Sequence, residues 1–216
     1  MVNYKTSKDL IDNELSNGVV TPIRRVFENA NIAYQEIMRD EHFSTDFAVN
    51  VAGRLKTYAV YYQFSPKFVT KNFPFEIKSV TMAFKQKRVE LRRGNILLTI
   101  AKSRDKNILP SPSKYKRKYS LSNFGMNQIQ MVLDGDGTAT SIQPYYGLII
   151  YDFNDNGLDY VDIVIPDKDY RDIIDRVSLK PKFEVFKQDD IRDDEDRISE
   201  LISLKGEVLK NIDKGE

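Results

Sequence analysis

The residues whose types and spacing best suit chemistry lie in the middle of the chain, where cations alternate with tyrosines. Lys85, Lys87, Arg88, Arg92 and Arg93 crowd one short stretch, Lys102 follows, and Lys114-Tyr115-Lys116-Arg117-Lys118-Tyr119 closes the run. Ammonium and guanidinium groups neutralise phosphates and release counterions, and tyrosine rings offer faces on which unpaired bases stack. These side chains form the expected nucleic-acid-binding site. The competing expectation is that the same cations pair with acids, either the chain's own, such as 193–196, or a partner protein's.

Carboxylates offer a second chemistry. Glu76-Ile77-Lys78 falls on a predicted strand, so its acid and base share a face. Nucleases of the PD-(D/E)xK type use such a triplet, with a second acid on the preceding strand, to hold Mg²⁺ and activate water. Here the nearest upstream acid is Asp46, in a predicted helix. With Asp134, Asp136 and Asp162, Glu76 completes the scattered acids on which a metal-dependent nuclease would draw, and that is the alternative function. Asp152-Phe153-Asn154-Asp155-Asn156-Gly157 resembles the first half of a calcium loop. Its twelfth position is Ile163, where such a loop needs a bidentate Glu, and Asn-Gly is a hairpin turn in its own right. His42 is the single histidine and cysteine is absent, which excludes disulfides, thiolate metal sites and Cys-His catalysis. There is no Gly-x-Ser-x-Gly elbow, phosphate-binding glycine loop or dinucleotide fingerprint. The expectation is therefore a protein without catalytic residues, metal or cofactor, more a binder than an enzyme.

Charge is distributed unevenly around these motifs. Residues 1–64 carry 7 basic and 8 acidic side chains, 65–133 carry 15 and 3, and 134–216 carry 11 and 21. A net charge of +1 conceals this separation. It points to a binding or regulatory protein that engages nucleic acid, or a nucleic-acid-handling protein, through charged surfaces. A third reading makes the acidic third a mimic of nucleic-acid charge that blocks a basic partner.

The elements that must position these residues follow from period and punctuation. Helices are expected over 7–17, with Ser7 as cap and Gly18 as stop, from Thr21-Pro22 through Met38, and over 45–62. The 39–44 connection is too long for a helix-turn-helix, so these helices are scaffold. Strands are expected over 75–84, 89–91 and 96–101, with Arg93-Gly94-Asn95 as a tight turn. A loop over 107–120 carries the basic run; a strand (128–133) and an acidic turn (134–137) come next. A hairpin over 146–153 and 158–165, a helix over 170–177, a strand over 183–186 and a charged helix over 190–212 complete the chain. Ile198, Leu201, Ile202 and Leu209 lie along one side of that last helix, near a heptad spacing suited to pairing with a second copy. The fold class is α+β: N-terminal helices, a mostly antiparallel sheet with hairpins and a long amphipathic C-terminal helix. Residues 1–188 form one domain (helices 7–64, sheet 75–186), and 189–216 form the appended helix. No signal-like or membrane-spanning apolar run occurs, so a cytoplasmic protein without membrane contact is expected.

Overall fold

A computed structural model gives the fold and describes residues 4, 6–43, 49–82, 85–124, 144–154 and 157–179. The expected strands at 128–133 and 183–186, the turn at 134–137 and the helix at 190–212, with Ile198, Leu201, Ile202 and Leu209, lie outside the described residues.

Among the described residues three α-helices precede the sheet: α1 (Ser7–Glu14), α2 (Asn17–Met38) and α3 (Val49–Gln63). The cap of α1 is Thr6, whose hydroxyl accepts the Asp9 N–H at 3.1 Å. Ser7 is instead the first helical residue, and its hydroxyl donates to Asp175 at 3.0 Å. α2 begins one turn earlier than Thr21-Pro22 suggests. Gly18 and Thr21 lie inside it, and Pro22 is accommodated within its second turn. The tertiary gain overrides the lost bond of the proline: Val20, Ile23, Phe27, Ala30, Ala33, Tyr34 and Ile37 are all buried.

Among the described residues six strands form one sheet in chain order: β1 (Glu76–Thr81), β2 (Lys87–Arg93), β3 (Ile96–Lys102), β4 (Tyr145–Asn154), β5 (Gly157–Pro166) and β6 (Ile173–Ser178). All neighbours are antiparallel except β3 and β4, which run parallel, Leu98 opposite Gly147. The long crossover that a parallel pair requires carries α4 (Lys114–Ser120) and a 3₁₀ turn (Leu121–Asn123). Gly147 is required at its place: a Cβ there would lie 2.6 Å from the Leu98 side chain. The β4–β5 hairpin forms as expected, Asn154 pairing with Gly157.

Two further expectations are corrected. The run at 107–120 is not all loop, because Lys114–Ser120 is helical. Its residues at 116, 119 and 120 recur at helical spacing and turn toward the sheet. The run at 170–177 is not a helix, because Ile173–Ser178 is the edge strand β6. Ile173, Ile174 and Val177 have helical spacing in the sequence, and the register shift between Ile165 and Pro166 lets a strand use that spacing. Ile173 packs on one face of the sheet and Val177 on the other.

The two faces have different cores. The first is covered by the N-terminal helices, with Phe27 packed on Tyr151 (ring centroids 5.0 Å apart) and Tyr34 on Phe153 (6.0 Å). The second holds Tyr146, Leu148, Ile150, Val164 and Tyr170, with Tyr119 of α4 against it. No helix among the described residues is long and apolar enough to cross a membrane.

Candidate nucleic-acid interface

Strand alternation explains how the basic segment is divided. Val89 and Leu91 of β2 face the helical core, so Arg88, Glu90 and Arg92 line the other face. There the Glu90 carboxylate, 0% exposed, gathers its neighbours. Arg88 donates to its Oε1 through Nε at 3.1 Å and Nη2 at 2.7 Å. The Tyr119 hydroxyl donates to the same oxygen at 2.8 Å, and Arg92 Nη2 donates to Oε2 at 3.2 Å. The Arg88 guanidinium lies 3.9 Å from the centre of the Tyr115 ring. Tyr119 packs on Tyr146 (5.6 Å), whose hydroxyl is 2.7 Å from that of Thr99. Burial alone would raise the Glu90 carboxyl, but the bonds from Arg88, Tyr119 and Arg92 outweigh it and hold it below the usual range.

The crossover is pinned from several sides. Asn123 Nδ2 donates to the carbonyls of Tyr146 (2.9 Å) and Pro166 (2.7 Å), and its Oδ1 accepts the Tyr146 N–H (2.8 Å). The Tyr170 hydroxyl donates to the Pro110 carbonyl (3.0 Å), and Lys116 Nζ to that of Ser111 (2.9 Å). Lys116 is only 7% exposed, and burial pushes its ammonium down to about 8.

Of the expected site residues, Arg88 and Lys116 are thus buried, and Tyr115 and Tyr119 are half-buried with rings engaged inward. Lys85, Lys87, Lys114, Arg117 and Lys118 are exposed; Arg92, Arg93 and Lys102 are intermediate. Lys114, Arg117 and Lys118 share the outward face of α4, at spacings of three and four. None of these three has an ion-pair partner among the described residues. Lys102 lies away from α4, 3.9 Å from Asp152, which also meets Lys56 at 3.5 Å. Beside α4 opens a cleft of about 230 Å³ lined by Arg92, Leu97, Lys118, Tyr119, Ser122 and Pro144. Sequence reasoning passed over Glu90, Leu97, Thr99 and Tyr146. The i, i+2, i+4 spacing of Arg88, Glu90 and Arg92 on a strand was the signal that could have found the first.

Among the described residues the acids are not assembled. Glu76 and Lys78 do share a face and pair at 3.0 Å, but they sit exposed on the edge strand, with no strand before them among the described residues. Asp162 is buried on β5, 3.7 Å from Arg176. Four strand spacings separate it from Glu76, on the order of 19 Å, too far for one ion. Asp134 and Asp136 lie outside the described residues. Among the described residues no group of three or more His, Cys, Asp or Glu could hold a metal. No protein-family model, no curated protein and no solved structure matches this chain.

Proposed function

We propose that the protein is a non-enzymatic binding or regulatory protein that engages nucleic acid through the outward face of α4 and the adjoining β2 surface. The observation that carries this is the trio Lys114, Arg117 and Lys118: exposed, on one helical face, without acidic partners among the described residues. The helix beneath them is anchored, so the cations are held in a fixed array. Because Tyr115 and Tyr119 face inward, the reading favours phosphate contacts over base stacking. Binding should then be insensitive to sequence and similar for single strands and duplex.

The test is a titration of labelled oligonucleotides at several salt concentrations against the parent and a Lys114→Gln/Arg117→Gln/Lys118→Gln variant. Each lost phosphate contact should flatten the log affinity–log salt slope by about 0.7 on single strands and about 0.9 on duplex. Absence of binding at low salt, or an unchanged slope in the variant, would overturn the reading. A folded variant that loses stability at low salt only would assign the trio to acids of the protein itself.

A further inference from the structure

We infer that the cleft between β2, β3 and α4 is a receptor for a single phosphate monoester, held by Arg92 and Lys118. The inference deepens the reading above and rests on it only for the polymer to which that phosphate belongs.

Size is the first argument. At about 230 Å³ the cleft falls below the roughly 300–1,000 Å³ of sites that enclose a whole small molecule, so it suits one group of a larger ligand. Donors are the second. Arg92 spends one Nη2 bond on Glu90, at 3.2 Å. The side chain is otherwise 41% exposed on the cleft, and the open part of its planar guanidinium suits the oxygens of an oxyanion. Lys118 stands on the same cleft as a point charge without an ion-pair partner among the described residues. Leu97 and Pro144 supply apolar walls that strengthen charge–charge attraction inside. Charge is the third argument. Arg88 and Arg92 against Glu90 leave one positive charge, and Lys118 makes it two. A monoester dianion balances that; the diester of a continuous backbone carries one charge per phosphate.

The experiment compares one internally labelled single strand bearing a 5′-phosphate, a 3′-phosphate or hydroxyl ends, with inorganic phosphate as the free source of the same group. A phosphorylated end should bind about tenfold more tightly than hydroxyl ends at pH 7.5, the value of one charge-assisted contact. The advantage should shrink below about pH 6, where the second phosphate ionisation is lost. In Arg92→Gln the ratio should fall toward one. Inorganic phosphate should raise the unfolding midpoint of the parent more than that of Arg92→Gln, each against its own phosphate-free value. Should Arg92→Gln unfold, Arg92→Lys, which keeps the charge and loses the fork, takes its place. Equal binding of all three ends with no thermal shift in phosphate would overturn the inference and leave the polymer reading standing. A phosphate shift that requires Arg92, with no strand bound at all, would support the cleft and sink the polymer.

Discussion

Replacing Glu90 with glutamine is expected to loosen α4 from the sheet, and the cost follows from what the carboxylate holds. It is 0% exposed and accepts two bonds from Arg88, one from Tyr119 and one from Arg92. Glutamine keeps one acceptor oxygen but turns an NH₂ donor toward a ring of donors, and it leaves Arg88, 7% exposed, without a counter-charge. Removing one partner of a buried pair costs about 3–5 kcal/mol. Arg92 can turn back to water, so the low end, about 3 kcal/mol, is expected. In a chain of this length that lowers the thermal midpoint by about 6–12 °C. Urea unfolding followed by far-UV circular dichroism measures the free energy directly. The Arg88→Met/Glu90→Leu double variant should recover most of the loss, since apolar residues of similar volume often replace a buried pair at little cost. Linkage gives an independent check. The folded carboxyl lies below its ordinary value of 4.5. Its contribution is therefore present above about pH 4.5 and lost as pH falls through the folded value. The gap between parent and Glu90→Gln should narrow in that acid range. A Glu90→Gln protein within about 0.5 kcal/mol of the parent, or a gap indifferent to acid, would refute the argument that this carboxylate organises the layer.

Lys116 also makes stability rise with pH, but here the charged form is the one that the fold disfavours. Burial lowers its ammonium from 10.5 to about 8, so holding the charge penalises the fold below pH 8 and the penalty lifts as pH rises toward 10.5. The parent should gain stability relative to Lys116→Met across that window, and a pH-independent difference would contradict it. Gly94 has φ +47°, and a Cβ would lie 2.5 Å from the Glu14 carboxylate that accepts the Asn95 N–H at 2.9 Å. Gly94→Ala should cost about 1–2 kcal/mol. Adding Glu14→Ala should then cost less than it does in the parent, which a double-mutant cycle by urea unfolding measures.

What could be read from the sequence was what period and local punctuation control. The Asn-Gly signal between two apolar runs gave the β4–β5 hairpin, and Arg93-Gly94-Asn95 gave the β2–β3 turn, because both signals act over a few residues. Pairing between distant segments carried no such mark. The parallel contact of β3 with β4 joins Ile96 to Tyr145, and nothing local announces it. β6 was hidden because its apolar residues lie at a helical spacing, which the bulge accommodates by placing Ile173 and Val177 on different faces. In the candidate site the cations were visible as a class, but which of them face water was not. That depends on the phase of α4 and on Glu90, a lone acid among bases, drawing Arg88 and Tyr119 inward.

The division of labour within α4 bears on what the exposed cations are for. Seven residues are too few to hold a helix in water. Its inward side supplies the missing stability: Tyr119 on Tyr146 and Glu90, Tyr115 on Arg88, Ser120 donating to the Lys168 carbonyl at 3.1 Å. Its outward side opposes it. Lys114, Arg117 and Lys118 stand three and four residues apart, where like charges each cost a few tenths of a kcal/mol. Arg117 and Lys118, in the last turn, recover part of that from the helix dipole; Lys114, in the first turn, adds to it. Nothing in the packing of the described residues requires three cations there, since polar uncharged residues would fill the same exposed positions without repulsion. An anion laid along the face would convert that repulsion into attraction, and it would do so without moving the helix. The inward contacts thus hold in place an arrangement of charge that the described residues alone do not favour.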